Sequence, residues 1–164
     1  MIINMGYSPY GFLIEIDDTV HIDVKKNCIY RFHDAQNSNG KPDDISIGVL
    51  YINNTMMSLL SYLLIHSQNK FTTKEEVLKH VWDEHNLSSS GTRLWQVFTN
   101  LKHKLLLLNF PEDFIEYEKR KGYIIRHENI MALYYQNTDE KKIKTTNASH
   151  SRRSSVFINL RQHA

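Results

Sequence analysis

The sequence predicts an α+β fold: a four-stranded antiparallel sheet, then three helices, then a β-hairpin. Three observations carry that expectation. The first fifty residues are short β-branched or aromatic runs parted by turn residues. From about residue 54 the apolar residues recur at helical spacing. Further on, "FIEYEKRKGYIIR" reads as two short strands around a basic turn.

The strand candidates are 12–16, 20–24, 28–32 and 45–52, giving a sheet over residues 12–52. "DDT", "KKN" and "DAQNSNGKPDD" lie between them and supply Asp, Asn and Gly for turns. The spacing suits a meander. The long connection 34–44 is its least ordered piece.

The helices fall within residues 54–108. In the first, Met56, Leu59, Leu60, Leu63 and Leu64 form the apolar stripe, with Asn53 or Asn54 as N-cap. "SQNK" breaks it. The second opens on Thr73, and Glu76 follows at capping-box spacing. Val77, Leu78, Val81 and Trp82 are its buried side. After the loop "DEHNLSSSG", Ser89, Ser90 or Thr92 caps the third. The hairpin occupies 114–126, with its turn at 119–122. Gly122 there can take positive φ without steric cost. Residues 1–126 therefore form one domain. Residues 127–164 read as a polar, flexible tail, in which "ENIMALYYQ" is a short helix or strand and "VFINL" a contact element.

Bulk properties exclude several classes. With 164 residues, 41% hydrophobic and 23% charged, the chain suits one soluble core and a tail. Its one cysteine, Cys28, permits no internal disulfide and fits a reducing, cytoplasmic setting. "MIINMGYSPYGF" has no basic n-region and no long apolar stretch, so no signal peptide is read. No run reaches the roughly 18 apolar residues of a membrane span. Net charge is only +2, but it is unevenly spread. Residues 1–69 hold 4 Lys/Arg against 7 Asp/Glu, residues 70–126 hold 10 against 8, and residues 127–164 hold 6 against 3. Basic character rises along the chain, which points to an anionic partner for the later part.

The third helix is the most informative segment. At about 100° per residue, Leu94, Val97, Phe98, Leu101, Leu105 and Leu108 share one stripe. The opposite face collects Thr92, Gln96, Thr99 and His103, flanked by Trp95 and Lys102 on one side and Asn100 on the other. Arg93 and Lys104 sit at the margins. No acidic residue is present. Such a face suits the DNA major groove: Asn and Gln bond bidentately to adenine, Thr bonds bases or touches the thymine methyl, and Arg or Lys reaches guanine or phosphate. A solvated helix, or one packed on another protein, would also account for the helix alone. The basic turn Lys119, Arg120, Lys121 adds a second element, able to enter a minor groove or grip phosphates.

A helix, a turn, a second helix and then a basic hairpin is the order of a winged helix-turn-helix. The chain resembles the OmpR/PhoB-type winged-helix DNA-binding domain in the style of bacterial ToxR-like regulators, over about residues 12–126. "INNTMMSLLSYLL", "NKFTTKEEVLKHVW", "LWQVFTNLKHKL" and "KGYII" are similar to its first helix, second helix, recognition helix and wing return. Leu101, Lys102, Lys104 and Leu105 stand in the recognition helix's closing pattern. The resemblance implies a transcription regulator acting on double-stranded promoter DNA by activation or relief of silencing. Base-reading residues would be Gln96, Thr99, Asn100 and His103. Phosphate contacts would be Thr92, Arg93, Lys102 and Lys104, and the wing would use Lys119, Arg120 and Lys121. It further implies self-association on direct repeats and an RNA polymerase contact through the 83–91 loop. There are departures. No receiver domain precedes the sheet, and no membrane span follows it, so the chain is expected to be a stand-alone regulator or the cytoplasmic part of a longer one. Lys102 replaces the usual Arg, and Trp95 is bulky for its position.

Other chemistry finds little support. His80 and His85 lack Cys or His-Glu partners for a metal. Cys28 reads as a buried strand residue. No nucleophile elbow or phosphate loop appears, so neither an enzyme nor a cofactor is expected. The alternative from another class is a winged-helix protein–protein module or adaptor without DNA reading, for which modest net charge and Trp95 argue.

Overall fold

A computed structural model of the chain describes residues 8–34, 45–82, 90–136 and 154–159. Its order is β1 (Gly11–Ile16), β2 (Asp18–Asp23), β3 (Cys28–Asp34), β4 (Ile45–Tyr51), α1 (Asn54–His66), α2 (Lys74–Val81), α3 (Gly91–Leu107), β5 (Ile115–Glu118), β6 (Gly122–Ile125), β7 (Ile130–Gln136) and β8 (Ser154–Asn159). The fold is mixed α+β, with three helices and an antiparallel sheet.

The first four strands form the expected meander, with tight turns at Asp17 and Asn27, both at positive φ. The sheet does not stop at four strands. It has six, ordered β4-β3-β2-β1-β7-β8. Ile130 pairs with Ile14 and Ala132 with Phe12, and these four side chains are buried. The tail expected from residue 127 is thus corrected over Ile130–Gln136 and Ser154–Asn159, which continue the sheet past residue 126. The alternation in "IMALYYQ" is masked because outward Met131, Leu133 and Tyr135 are as apolar as the inward set. Residues 137–153 and 160–164 lie outside the described residues, as do the 35–44 connection and most of the 83–91 loop.

The helices cover one sheet face. Phe12, Ile14, Val20, Ile22 and Ile29 from the sheet meet Leu59, Leu60, Leu63 and Leu64 of α1, Val77 and Val81 of α2, and Leu94, Phe98, Leu101 and Leu105 of α3. Caps define the helix starts. Asn53 accepts from the Met56 amide at 2.8 Å. Thr73 and Glu76 form the reciprocal capping box. Ser90 accepts from the Arg93 amide at 3.1 Å. Cys28 is buried. Among the described residues no helix is long and apolar enough to cross a membrane.

Among the described residues one charged side chain sits in this apolar setting. Arg31, 4% exposed, points from β3 to the end of α3. Its Nη1 donates to the carbonyls of Leu108 (3.1 Å) and Asn109 (2.6 Å). Its Nη2 donates to the Ile16 carbonyl at 3.2 Å, and its Nε to the Asp18 carboxylate at 3.0 Å. The helix end itself is a Schellman turn: Asn109 takes positive φ, and the amides of Asn109 and Phe110 reach back to Leu106 and Leu105. A cation there also meets the negative pole of the helix. His33 Nδ1 lies 2.6 Å from the same Asp18 oxygen.

Replacing Arg31 by Met keeps the volume and removes every one of these bonds. We expect a loss of about 3 kcal/mol of unfolding free energy, the low end for breaking a buried pair because Asp18 keeps some solvent, measured in urea titrations. The Asp18 carboxyl also predicts a pH dependence. Burial works to raise its pKa, but hydrogen bonds from Arg31 and His33, with their charges, hold it below the ordinary 3.8. A lowered folded-state pKa means stability that is present above the ordinary value and lost as pH falls through the lowered one. Asp18→Asn should flatten the acid limb of a stability–pH curve below about pH 4.

Candidate nucleic-acid interface

The α3 face is built as its sequence predicts. Thr92, Arg93, Gln96, Thr99, Asn100 and His103 are exposed, while Lys102 and Lys104 are half-buried. The opposite stripe, Leu94, Phe98, Leu101 and Leu105, is in the core. From Gly91 to Leu107 there is no carboxylate, so the helix offers amides, hydroxyls, an imidazole and three cations. One of the three is diverted: Lys104 Nζ lies 3.5 Å from the Tyr51 carbonyl on β4.

The β5–β6 hairpin is held against the helices by backbone bonds. The Thr72 amide donates to the Tyr123 carbonyl and the Tyr123 amide to the Thr72 carbonyl, each at 2.9 Å. The Asn69 amide donates to Ile125, and the Ile125 amide to Ser67, also at 2.9 Å each. In effect the α1–α2 connector is a third strand. Gly122 makes this docking possible. Its φ is +116°, and a Cβ there would lie 2.1 Å from the Thr72 carbonyl oxygen.

Aromatic rings close the seam between α3 and the hairpin. Trp95 is 52% exposed and meets Tyr117 of β5 edge-on, centroids 5.8 Å apart at 70°. Below them, Phe98 meets Tyr123 at 4.9 Å and 66°, and Tyr117 meets Tyr123 at 4.9 Å. Burial pushes the Tyr123 phenol pKa up, so it stays neutral there. Sequence reasoning placed Trp95 on the helix flank and missed Tyr117. The only sequence signal was its two-residue spacing from Ile115, which puts both on one face of β5 with Glu116 and Glu118 on the other.

The hairpin tip is less uniformly basic than its sequence suggests. Lys119, Arg120 and Lys121 are all exposed. Lys121, however, pairs with Glu118 at 2.7 Å and lies over the Phe71 ring at 5.1 Å. Its ammonium holds the Glu118 carboxyl below the usual range. Arg126 pairs with both Glu116 (2.9 Å) and Glu118 (2.6 Å). These pairs are solvent-exposed and individually weak, yet they leave Lys119 and Arg120 as the tip cations without a carboxylate within salt-bridge distance among the described residues. Among the described residues no group of three His, Cys, Asp or Glu side chains gathers for a metal.

No protein-family model and no curated protein matches the chain. Among solved structures it is similar to the DNA-binding domain of E. coli CadC, with a TM-score of 0.50 and 17% sequence identity over 76% of this chain and 96% of that one. At that identity the likeness is one of fold: three helices with an antiparallel sheet.

Gly122→Ala tests the docking. The added methyl cannot coexist with the Thr72 carbonyl, and φ near +116° is strained for alanine. We expect faster hydrogen exchange at the Thr72 and Ile125 amides, with the sheet amides unchanged.

Proposed function

We propose that the chain is a sequence-specific, double-stranded DNA-binding transcription regulator of winged-helix design. In this reading α3 lies in the major groove and the β5–β6 hairpin acts as the wing in the neighbouring minor groove. The observation that carries it is the exposed, acid-free face of α3 joined to a hairpin whose tip cations Lys119 and Arg120 have no carboxylate partner among the described residues. Neither element alone argues for DNA; side by side they make a base reader and a phosphate grip. The fold likeness to a DNA-binding domain supports the same reading. Gln96, Thr99, Asn100 and His103 read bases, and Thr92, Arg93 and Lys102 contact phosphates. Lys104 joins them by leaving the Tyr51 carbonyl. At the wing Lys119 and Arg120 act first, and Lys121 only after parting from Glu118. Activation or relief of silencing at promoters, a polymerase contact through the 83–91 loop, pairing on direct repeats and a cytoplasmic location belong to the same proposal.

Fluorescence anisotropy against duplexes selected from a random library, across a salt series, tests it. Gln96→Ala and Asn100→Ala should each cost about 1–3 kcal/mol of base discrimination. Lys119→Ala and Arg120→Ala should weaken all duplexes alike and lower the salt slope by about 1 each, with a smaller effect for Lys121→Ala. Binding by the parent that ignores both sequence and salt would defeat the proposal. It would favour the second reading, a protein-docking module, to which the exposure of Trp95 lends support.

A further inference from the structure

Trp95 and Tyr117 belong to neither the base-reading row nor the cationic tip. They lie between the two. Trp95 is on α3, one helical turn from both Thr92 and Thr99, on the flank that faces the hairpin. Tyr117, 36% exposed, rises from β5. Buried Phe98 and Tyr123 support both rings from beneath. The exposed surface of this pair is therefore a fixed aromatic saddle. Little side-chain freedom remains to be lost on binding.

The position of the saddle defines what it meets, given the DNA reading above, on which this inference rests. A helix in the major groove and a hairpin in the adjacent minor groove are separated by one sugar–phosphate strand. Whatever joins helix to hairpin must cross that strand. The two rings that meet at this joint are uncharged, and they carry one indole N–H and one phenol O–H. We infer that Trp95 and Tyr117 pack on the deoxyribose faces of the backbone between the two grooves, with their polar hydrogens available to a phosphate oxygen. The saddle sets the register of the protein on the duplex without reading a base.

This assigns a signature that separates the saddle from the other contacts. Base readers alter sequence preference when removed. Tip cations alter the salt slope. The saddle alters affinity alone, because it neutralises no phosphate charge and meets no base edge. Trp95→Ala and Tyr117→Ala, measured with a selected duplex and a scrambled one, should each weaken both by about tenfold, the effect of losing one anchoring aromatic. Base preference and salt slope should stay at the parent values. Acrylamide quenching of the unaltered chain gives an independent readout. Trp82 is fully buried, so quenching reports Trp95, and it should fall severalfold when either duplex is added.

A change in base preference on removing Trp95 would overturn the inference in favour of thymine-methyl contact. Quenching that stays high on bound DNA would overturn it outright, whatever the variants do. In both cases duplex binding by the parent would leave the DNA reading intact. A parent chain that binds no duplex, selected or scrambled, would overturn the two together.

Discussion

One guanidinium fixes where the third helix ends. The last carbonyls of any helix lack partners within it, and α3 ends against the sheet. The Schellman turn at Asn109 satisfies two. Arg31 takes the next two, those of Leu108 and Asn109, and is itself neutralised by Asp18. Its fourth bond, to the Ile16 carbonyl, reaches β1. The consequence is geometric. A long helix held only by apolar contacts could slide or roll over its core. Arg31 ties its end to β1, β2 and β3 at once. Gly48 lets the two layers close, because a Cβ there would meet Leu108 at 2.8 Å.

The other boundary of the surface is fixed by different means. The hairpin is too short to be stable alone. It borrows its third strand from the α1–α2 connector, in which Ser67 and Thr72 are buried and hydrogen-bonded to each other at 2.7 Å. At its base, His127 Nε2 lies 2.8 Å from the Glu15 carbonyl, bringing hairpin and sheet together. Helix and hairpin are thus each anchored to the core, and then joined by Trp95 and Tyr117. A surface presented this way loses little freedom on binding.

The elements legible in the sequence are those governed by short-range chemistry. Asn53, Thr73 with Glu76, and Ser90 announce helix starts because a cap and its amide lie three residues apart. The α3 stripe is legible because six large apolar residues recur on one side. What escaped depends on distant partners. Arg31 looks like an ordinary polar residue of a strand; the carbonyls it serves lie 77 and 78 residues on. Strand β7 was hidden because its outward residues are as apolar as its inward ones, so the contrast that reveals a strand is missing. For the candidate site, the exposed row from Thr92 to His103 followed from helical angle alone. The diversion of Lys104 to a carbonyl and of Lys121 to Glu118 did not, since flexible cations choose partners by proximity that only the fold creates.

In the DNA-binding reading proposed above, the acid-free face of α3 and the hairpin tip form a single surface. A titration of the ¹⁵N-labelled chain with a duplex, followed by amide chemical shifts, tests it most directly. Perturbations should concentrate in residues 92–104 and 119–121, with the outward sheet face around Phe32, Ile47 and Val49 unmoved. Perturbations centred on that sheet face, with α3 silent, would contradict it.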